Sequence, residues 1–498
     1  MEKIHFLFIF NIPLWRTHMW LELDADTGIP LRRQIYERIK TLILHGDLKA
    51  EEKLPSSRGL AKDLGIARQT VLDAYEQLLA EGYLAARPGS GTRVAQGIAP
   101  TASLSGTPAG FMGQKWQRAD VSRPDEVNFR SGIPALDKFP QEEWGRLYRH
   151  VCRSLPAAAF RYCGPGGIWE LREAITAYLF RMRGIRVPPE RVMITSGSTQ
   201  GLRIVARLLR RNSSAVLVED PAHRGLLEVV VRAGYTVEGL RADERGLDTS
   251  ALRTLSRERA GRVAFAYVTP SHQYPLGGIL PVQRRQALIG FARDAGCHIV
   301  EDDYDSEFRY EGAPVSSLYE LAPETVIYLG SFSKIMAPAL RLGFAIVPDA
   351  LRAAWEPEKM YTDVHTDALS QYTLAAFISS GGLERHIRKM KKLYQRKRAH
   401  LLQSLARHFG SRFEVRGQAA GLHLVAAFPD VVFTEELLAA LRARGVRAVP
   451  VEDYSLCRDG AHAHELVLGY SHLSEEDLDK GVALLKEALA AHWRLSSA

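Results

Sequence analysis

The chain has 498 residues, 46% of them hydrophobic and 24% charged, with a formal net charge of +8. That length corresponds to about two to four domains, and the composition is that of an ordinary soluble globular protein rather than a fibrous or low-complexity one. The positive balance permits a polyanionic partner without demanding one.

Four scattered cysteines (Cys152, Cys163, Cys297, Cys457) are too few for a disulfide framework. No Cys/His spacing suggests zinc, so no metal is expected. A reducing cytoplasm fits this usage. No stretch reaches the roughly eighteen apolar residues of a membrane span, so no membrane partner is expected.

Residues 1–24 read as an N-terminal extension. Ile4 to Trp15 is apolar after Lys3 and faintly resembles a signal peptide, but no small-x-small cleavage site follows. Met19 is an alternative start, which would leave the first eighteen residues as upstream read-through; a genuine extension is the other reading.

Residues 25–95 form the first module. Apolar residues at Leu31, Ile35, Ile39, Leu42 and Ile43 have helical spacing, stopped by Gly46. A second short helix runs from the Leu54-Pro55-Ser56-Ser57-Arg58 stretch to Leu64, with Ser56 or Ser57 as N-cap. After the Gly65-Ile66 turn, Arg68 to Ala80 makes a third helix with Val71, Leu72, Tyr75, Leu78 and Leu79 as its core stripe. Two short helices about a tight glycine turn read as helix-turn-helix. Tyr83 to Val94, with Pro88-Gly89-Ser90-Gly91 at its centre, reads as a β-hairpin wing.

These pieces, in this order, resemble the GntR-type winged helix, a binder of double-stranded operator DNA. The resemblance places Arg68, Gln69 and Thr70 at the end of the third helix that enters the major groove. It also places Ser56 and Arg58 among phosphate and base contacts, and Gly89 and Gly91 in a wing that approaches the minor groove. Asp73 stands where fatty-acid-type relatives carry arginine, so their half-site does not transfer. Residues 30–95 hold 11 Lys/Arg against 8 Asp/Glu. One copy should therefore bind DNA weakly, and a dimer on two half-sites more strongly.

Residues 96–124 are rich in glycine, proline, serine and threonine without hydrophobic period, and read as a flexible linker. From 125 to 498 strands and helices alternate, the pattern of an α/β fold with a mostly parallel sheet. Arg191–Thr195, Ala215–Pro221, Val263–Val268, His298–Tyr304 and Val326–Leu329 are the expected strands, and a helix is expected from Leu202 to Leu209. The small residues Ser196-Gly197-Ser198-Thr199-Gln200-Gly201 before that helix suit an anion at its N-terminus. The turn Ser331-Phe332-Ser333-Lys334, with Arg341 seven residues on, can combine a Schiff-base amine with phosphate-binding hydroxyls and a guanidinium. A bare serine–lysine turn is more often mere surface; the order of the other motifs decides against that.

Taken together, residues 125–498 resemble the fold-type I aminotransferases, whose cofactor is pyridoxal 5'-phosphate. The resemblance implies Lys334 as the Schiff-base lysine, Asp302 on the pyridine nitrogen and Tyr304 on the ring 3-oxygen. It implies Ser198, Thr199, Gln200, Ser331, Ser333 and Arg341 around the phosphate, with His223 and His272 beside the ring. A winged helix ahead of such a domain is the order of the MocR/GabR subfamily of GntR regulators, which form domain-swapped, head-to-tail homodimers.

Two departures stand out. His223 occupies a place where the family usually stacks a tyrosine. Val467 occupies the late-strand place where free aminotransferases grip the substrate carboxylate with arginine. Arg224, Arg416 and Arg447 are the candidate effector contacts; otherwise the effector lacks a carboxylate or is the cofactor itself. The basic run from Arg385 to Arg398 reads as a solvated helix face, with a DNA-backbone groove as the other reading.

The expected function is a cytoplasmic transcription regulator that senses pyridoxal phosphate, an amine or an amino acid through Lys334, with at most residual transaminase activity. An active aminotransferase with an appended DNA module is the alternative. A plain repressor with a scaffold domain is a third reading.

Overall fold

The computed structural model describes residues 21, 23–24, 28–87, 91–98, 126–210, 215–253, 255, 261–312 and 315–496. The expectations for the residues before Met19, for Gly89 and for nearly all of the 96–124 linker lie outside these. Two compact units are present, residues 1–121 and 122–498.

The first unit contains α1 (Leu31–His45), α2 (Ser57–Leu64), α3 (Arg68–Ala80), β1 (Leu84–Arg87) and β2 (Gly91–Val94). Gly46 and Gly65 end α1 and α2 in the left-handed region, where a side chain would be strained. Ser56 is the N-cap of α2, its Oγ accepting from the Gly59 N–H at 3.1 Å. Ile35, Ile39, Leu60, Val71, Tyr75 and Leu78 close one apolar core. Leu72 and Leu79, expected inside, are only half-buried; Ala74 takes the central place on the stripe instead. The Tyr75 hydroxyl donates to the Pro55 carbonyl at 3.0 Å, tying α3 to the entry of α2. The strands pair antiparallel from Leu84–Val94 to Arg87–Gly91.

The second unit is organised on an eight-stranded sheet. After the short strand β3 (Val127–Asn128), its members are β4 (Val192–Thr195), β5 (Ala215–Asp220), β6 (Thr236–Asp243), β7 (Gly246–Leu247), β8 (Val263–Val268), β9 (His298–Asp303), β10 (Val326–Ser331) and β11 (Gly343–Ile346). Their spatial order is β4-β11-β10-β9-β8-β5-β6-β7. The five central strands from β10 to β6 run parallel, and antiparallel neighbours occur only at the two edges. Parallel strands covered on both faces read as continuous apolar runs, as the sequence had suggested. A second sheet has the order β12 (Glu414–Arg416), β13 (His423–Ala427), β16 (Glu465–Gly469) and β15 (Val449–Pro450), while β14 (Val446–Arg447) pairs with β3.

Two expectations need revision. The helix after β4 spans Ser198–Leu208, four residues earlier than its apolar period begins, because Gly197 with φ 94° starts it directly. The basic run lies on the helix Gly382–Phe409, but not all of it is solvated. Lys397 and Arg398 are buried, Lys397 Nζ donating to the Ser471 carbonyl at 2.8 Å and Arg398 pairing with Glu311 at 2.7 Å.

Strand β9 carries acids on both faces. Glu301 and Asp303 share the face of Ile299, while Asp302 shares that of Val300. Asp303 pairs with Arg183 at 3.1 Å and accepts from the Tyr328 hydroxyl at 2.6 Å. Glu301 accepts the Leu318 and Tyr319 N–H groups at 3.0 and 2.9 Å, anchoring the short helix Leu318–Leu321.

Burial, with Asp303 adding, pushes the Glu301 carboxyl from 4.5 up to about 7. A raised acid favours the folded state fully below its unfolded value and loses that contribution as pH rises through the folded one. The free energy of unfolding should therefore fall between about pH 4.5 and about pH 7, by up to roughly 3 kcal/mol from Glu301. Denaturant melts across that range should show a flatter slope for Glu301→Gln.

Candidate functional site

The C-terminal ends of the parallel strands, where open α/β sheets bind ligands, enclose a cavity of about 160 Å³. After β4 come Ser198 and Thr199; from β5 and the turn beyond it, Glu219, Ala222 and His223. From β8 and its loop come Tyr267, Thr269 and Tyr274; from β9, Asp302, Tyr304 and Asp305. The turn after β10 supplies Lys334, and Ser131, Gly132, Leu422 and His423 close the remaining sides.

Lys334 is half-buried and its Nζ donates to the Gly132 carbonyl at 2.7 Å. Burial holds its amine below the ordinary lysine range, while Asp305 and Asp302 act in the opposite direction. A lysine so placed keeps more of its amine in the neutral, nucleophilic form. Asp302 Oδ2 accepts from the Tyr267 hydroxyl, and Asp302 Oδ1 is buried with no partner. Burial raises this carboxyl to about 6. Glu219 is held likewise, at about 7: Oε2 accepts from the Thr269 N–H and hydroxyl at 3.0 and 2.6 Å, while Oε1 is buried without a partner.

At the other end, Gly197 leads into the helix Ser198–Leu208, whose first-turn N–H groups point out of its N-terminus. Arg341 donates to the Ser196 carbonyl, and a Cβ on Gly197 would lie 2.9 Å from its Nη2. Ser331 and Ser333 are buried beneath this turn, the Ser333 N–H donating to Ser331 Oγ at 3.2 Å.

The structure thus gathers Ser198, Thr199, His223, Asp302, Tyr304 and Lys334 at one cavity; Arg341, Ser331 and Ser333 lie outside its lining, Arg341 against the Ser196 carbonyl and the two serines in the buried turn before Lys334. His272 lies just behind, its Nδ1 3.0 Å from Asp305 Oδ2 and 3.0 Å from the Tyr304 hydroxyl. The Tyr304 hydroxyl also donates to the His272 carbonyl at 2.9 Å. Burial opposes a charged imidazole at His272, but Asp305 outweighs it and the pKa is raised.

Other candidates are engaged elsewhere. Gln200 does not line the cavity: its Oε1 accepts from the Ser196 N–H at 2.7 Å and its Nε2 donates to Asp363 at 2.7 Å. Arg416 pairs with Glu465 at 2.7 Å and Arg447 with Glu126 at 3.5 Å, and neither reaches the lining. Arg224 is exposed at the first position of the helix Arg224–Arg232, one residue beyond His223.

Sequence reasoning passed over Glu219, Tyr267, Tyr274 and His423. Nothing local says that the Tyr274 ring meets those of His223, His423 and Tyr454, each with centroids 5.2 Å away. His272, Asp305 and His423 present ligating atoms within 4.8 Å of one another, an assembly that linear spacing hides. His272 Nδ1 meets Asp305 and His423 Nε2 donates to the Pro275 carbonyl at 2.9 Å, while His272 Nε2 is buried without a partner.

In the first unit, Arg58, Arg68 and Gln69 are exposed and Thr70 is half-buried at the start of α3. Arg68 Nε lies 3.4 Å from Ser57 Oγ, and Gln69 Nε2 donates to Asp73 at 2.7 Å. Gly91, with φ 89°, sits on the wing against the Lys53 side chain.

Comparison with known proteins agrees with both units. Residues 124–483 match the family described as aminotransferase class I and II, and residues 31–94 the bacterial regulatory proteins of the gntR family. The chain is 33% identical to the probable rhizopine catabolism regulatory protein MocR of Rhizobium meliloti, over 95% of this chain and 96% of that one. It is 30% identical to the HTH-type pyridoxine biosynthesis transcriptional regulator PdxR of Corynebacterium glutamicum, over 94% and 98%. The second unit superposes on LysN of Thermus thermophilus, an α-aminoadipate aminotransferase solved with N-(5'-phosphopyridoxyl)-L-leucine. That match has a TM-score of 0.66 and 29% identity over 75% of this chain and 94% of that one. With both units matched along nearly its whole length, the chain belongs to the MocR-type gntR-family regulators, which join a DNA-binding winged helix to an aminotransferase class I/II domain.

Proposed function

We propose that this protein is a cytoplasmic transcription regulator that holds pyridoxal 5'-phosphate on Lys334 and responds to a small amine, an amino acid or the cofactor itself. The observation that carries the reading is the unpartnered Oδ1 of Asp302, buried on the wall of the cavity that also presents the Lys334 amine. A buried carboxylate oxygen without a donor is costly. A protonated pyridine nitrogen would supply the missing donor.

The cofactor brings an aldehyde that condenses with amines and a ring that withdraws electrons. The chain's residues do the rest. Asp302 offers the acceptor, and Tyr267 fixes its carboxyl. Ser198, Thr199, Ser331, Ser333 and Arg341 would hold the phosphate. Tyr304, steadied by His272, would hold the ring oxygen. Lys334, its amine kept partly neutral by burial, would hold the aldehyde carbon. His223 at the mouth would lie beside the ring.

On the DNA side, Arg58, Arg68, Gln69 and Thr70 form the groove-facing set, helped by Ser56 and the wing. A head-to-tail homodimer would offer two such sets. An effector amine that displaces Lys334 changes operator affinity if the two arrangements of the dimer bind it unequally. A catalytic reading requires sustained turnover of an amino acid with a keto acid. Val467 in place of a gripping arginine speaks against that.

Protein supplied with cofactor should turn yellow, and borohydride should trap the label at Lys334. Lys334→Ala should do neither, and its operator affinity should no longer respond to cofactor or amine. A Lys334→Ala protein that regulates normally would leave a plain repressor. Binding of operator DNA followed against salt should weaken several-fold in Arg58→Ala and in Arg68→Ala. For whichever residue contacts a phosphate, the salt slope should drop by about one ion.

A further inference from the structure

We propose that Asp305 is a positioning residue for Tyr304: by fixing the proton of His272 on Nδ1, it leaves the Tyr304 hydroxyl free to donate to the ring oxygen of the cofactor. This rests on the reading of the cavity given above and adds a role for an acid not yet assigned one.

His272 and Asp305 are each 1% exposed. Asp305 Oδ2 lies 3.0 Å and Oδ1 3.1 Å from His272 Nδ1. Two carboxylate oxygens about one ring nitrogen are the pattern of an N–H shared between them, so Nδ1 carries a proton. That holds for the neutral ring and for the imidazolium alike. The Tyr304 hydroxyl stands 3.0 Å from the same nitrogen. With Nδ1 a donor, the hydroxyl has no acceptor there, and its proton goes to the His272 carbonyl at 2.9 Å. An anionic ring oxygen is a stronger acceptor than that carbonyl and would draw the hydroxyl to itself. Nδ1–H would then donate to the Tyr304 oxygen and strengthen it as a donor. Without Asp305, the Nδ1 lone pair becomes an acceptor for the Tyr304 proton in competition with the cofactor.

The pair is closed in on its other sides. Gly421, with φ 81°, turns the chain against it: a Cβ there would lie 2.1 Å from His272 Cε1 and 2.5 Å from Asp305 Oδ2. The Gly421 carbonyl accepts the Tyr310 and Tyr470 hydroxyls, each at 2.7 Å. The His423 ring packs on that of His272 with centroids 5.2 Å apart. Lys334 and Asp302 line the same cavity as Asp305, and the charge of Arg309 opposes one on His272.

The test uses the full-length protein loaded with pyridoxal phosphate. Absorbance of the Lys334 imine is titrated against pH in the wild type, Tyr304→Phe, Asp305→Ala and the double variant. A donor on the ring oxygen competes with the imine N–H for it, so losing that donor should raise the pH at which the imine deprotonates. Tyr304→Phe should raise it by about one unit, the scale of one charged hydrogen bond. Loss of the Asp305 charge by itself acts the other way, because a nearby anion favours the protonated imine. In Tyr304→Phe only that downward effect remains. Asp305→Ala should therefore move the midpoint about half a unit or more further upward with Tyr304 present than without it. Asp305→Asn, nearly isosteric, should show the same difference at smaller size and takes the place of the alanine variant if that does not fold.

A second measure needs no imine. Pyridoxamine 5'-phosphate carries the same ring oxygen without the aldehyde, and calorimetry reads its affinity for the cofactor-free protein. Asp305→Ala should weaken it about fivefold or more with Tyr304 present, and about twofold or less in Tyr304→Phe. If no imine band forms, the Lys334 reading fails while calorimetry still decides the role of Asp305. Equal effects of Asp305→Ala with and without Tyr304, in the pH titration or in calorimetry where no band forms, overturn the positioning role. A merely structural Asp305 would act alike in both backgrounds.

Discussion

Strand His298–Asp303 places carboxylates on both faces of a sheet that excludes water, and each face must compensate its own charge. On one face the compensation is complete: Arg183 and the Tyr328 hydroxyl hold Asp303, and two backbone N–H groups hold Glu301. On the other face Asp302 has only the Tyr267 hydroxyl, and one oxygen is left over. The difference separates framework from site. A polar group that folding leaves unsatisfied is available to a ligand, and its energetic cost in the empty cavity becomes affinity when a donor arrives.

The start of the helix Ser198–Leu208 depends on a second constraint, close backbone approach. A Cβ on Gly343 would lie 2.8 Å from Gly197 Cα, so strand β11 can pass the β4 turn only without side chains at that crossing. The contact brings Arg341 onto the N-terminus of the helix Ser198–Leu208. Behind it, Asp363 collects Gln200 Nε2 at 2.7 Å, Lys359 Nζ at 2.5 Å and Ser196 Oγ at 3.3 Å. Gln200 therefore braces the turn ahead of Ser198 and Thr199, and a change there should act through the position of that pair.

What could be read from the chain alone follows the range of each interaction. The winged helix was visible almost residue by residue because its signals are local: glycine stops after α1 and α2, a serine cap, and an apolar stripe on α3. The lysine turn and the order of strands were visible because each strand end carries its own polar punctuation. Apart from the early start of the helix Ser198–Leu208 and the half-buried Leu72 and Leu79, the failures are long-range. Arg416 and Arg447 look free in sequence, yet Glu465 and Glu126 are brought to them by sheet pairing and packing. Lys397 and Arg398 belong to a basic run, yet the fold turns them inward onto Ser471 and Glu311. Tyr274 comes from a turn, His423 from the start of a strand and Tyr454 from the end of a short 3-10 helix, and only the folded chain brings their rings together.

The cavity also bears on why such a domain would suit sensing. An aminotransferase must release its product, so tight binding at every step works against turnover. A sensor gains from a ligand that stays, since its influence on a two-state equilibrium is limited by its differential affinity. A ligand held by one arrangement at about a hundred times its dissociation constant contributes roughly 2.7 kcal/mol, enough to shift DNA binding about a hundredfold. Val467, which the aminotransferase resemblance sets at the place of a carboxylate-gripping arginine, is buried in an apolar cluster. On the proposed reading, amine exchange at Lys334 would then serve to hold a ligand rather than to process one.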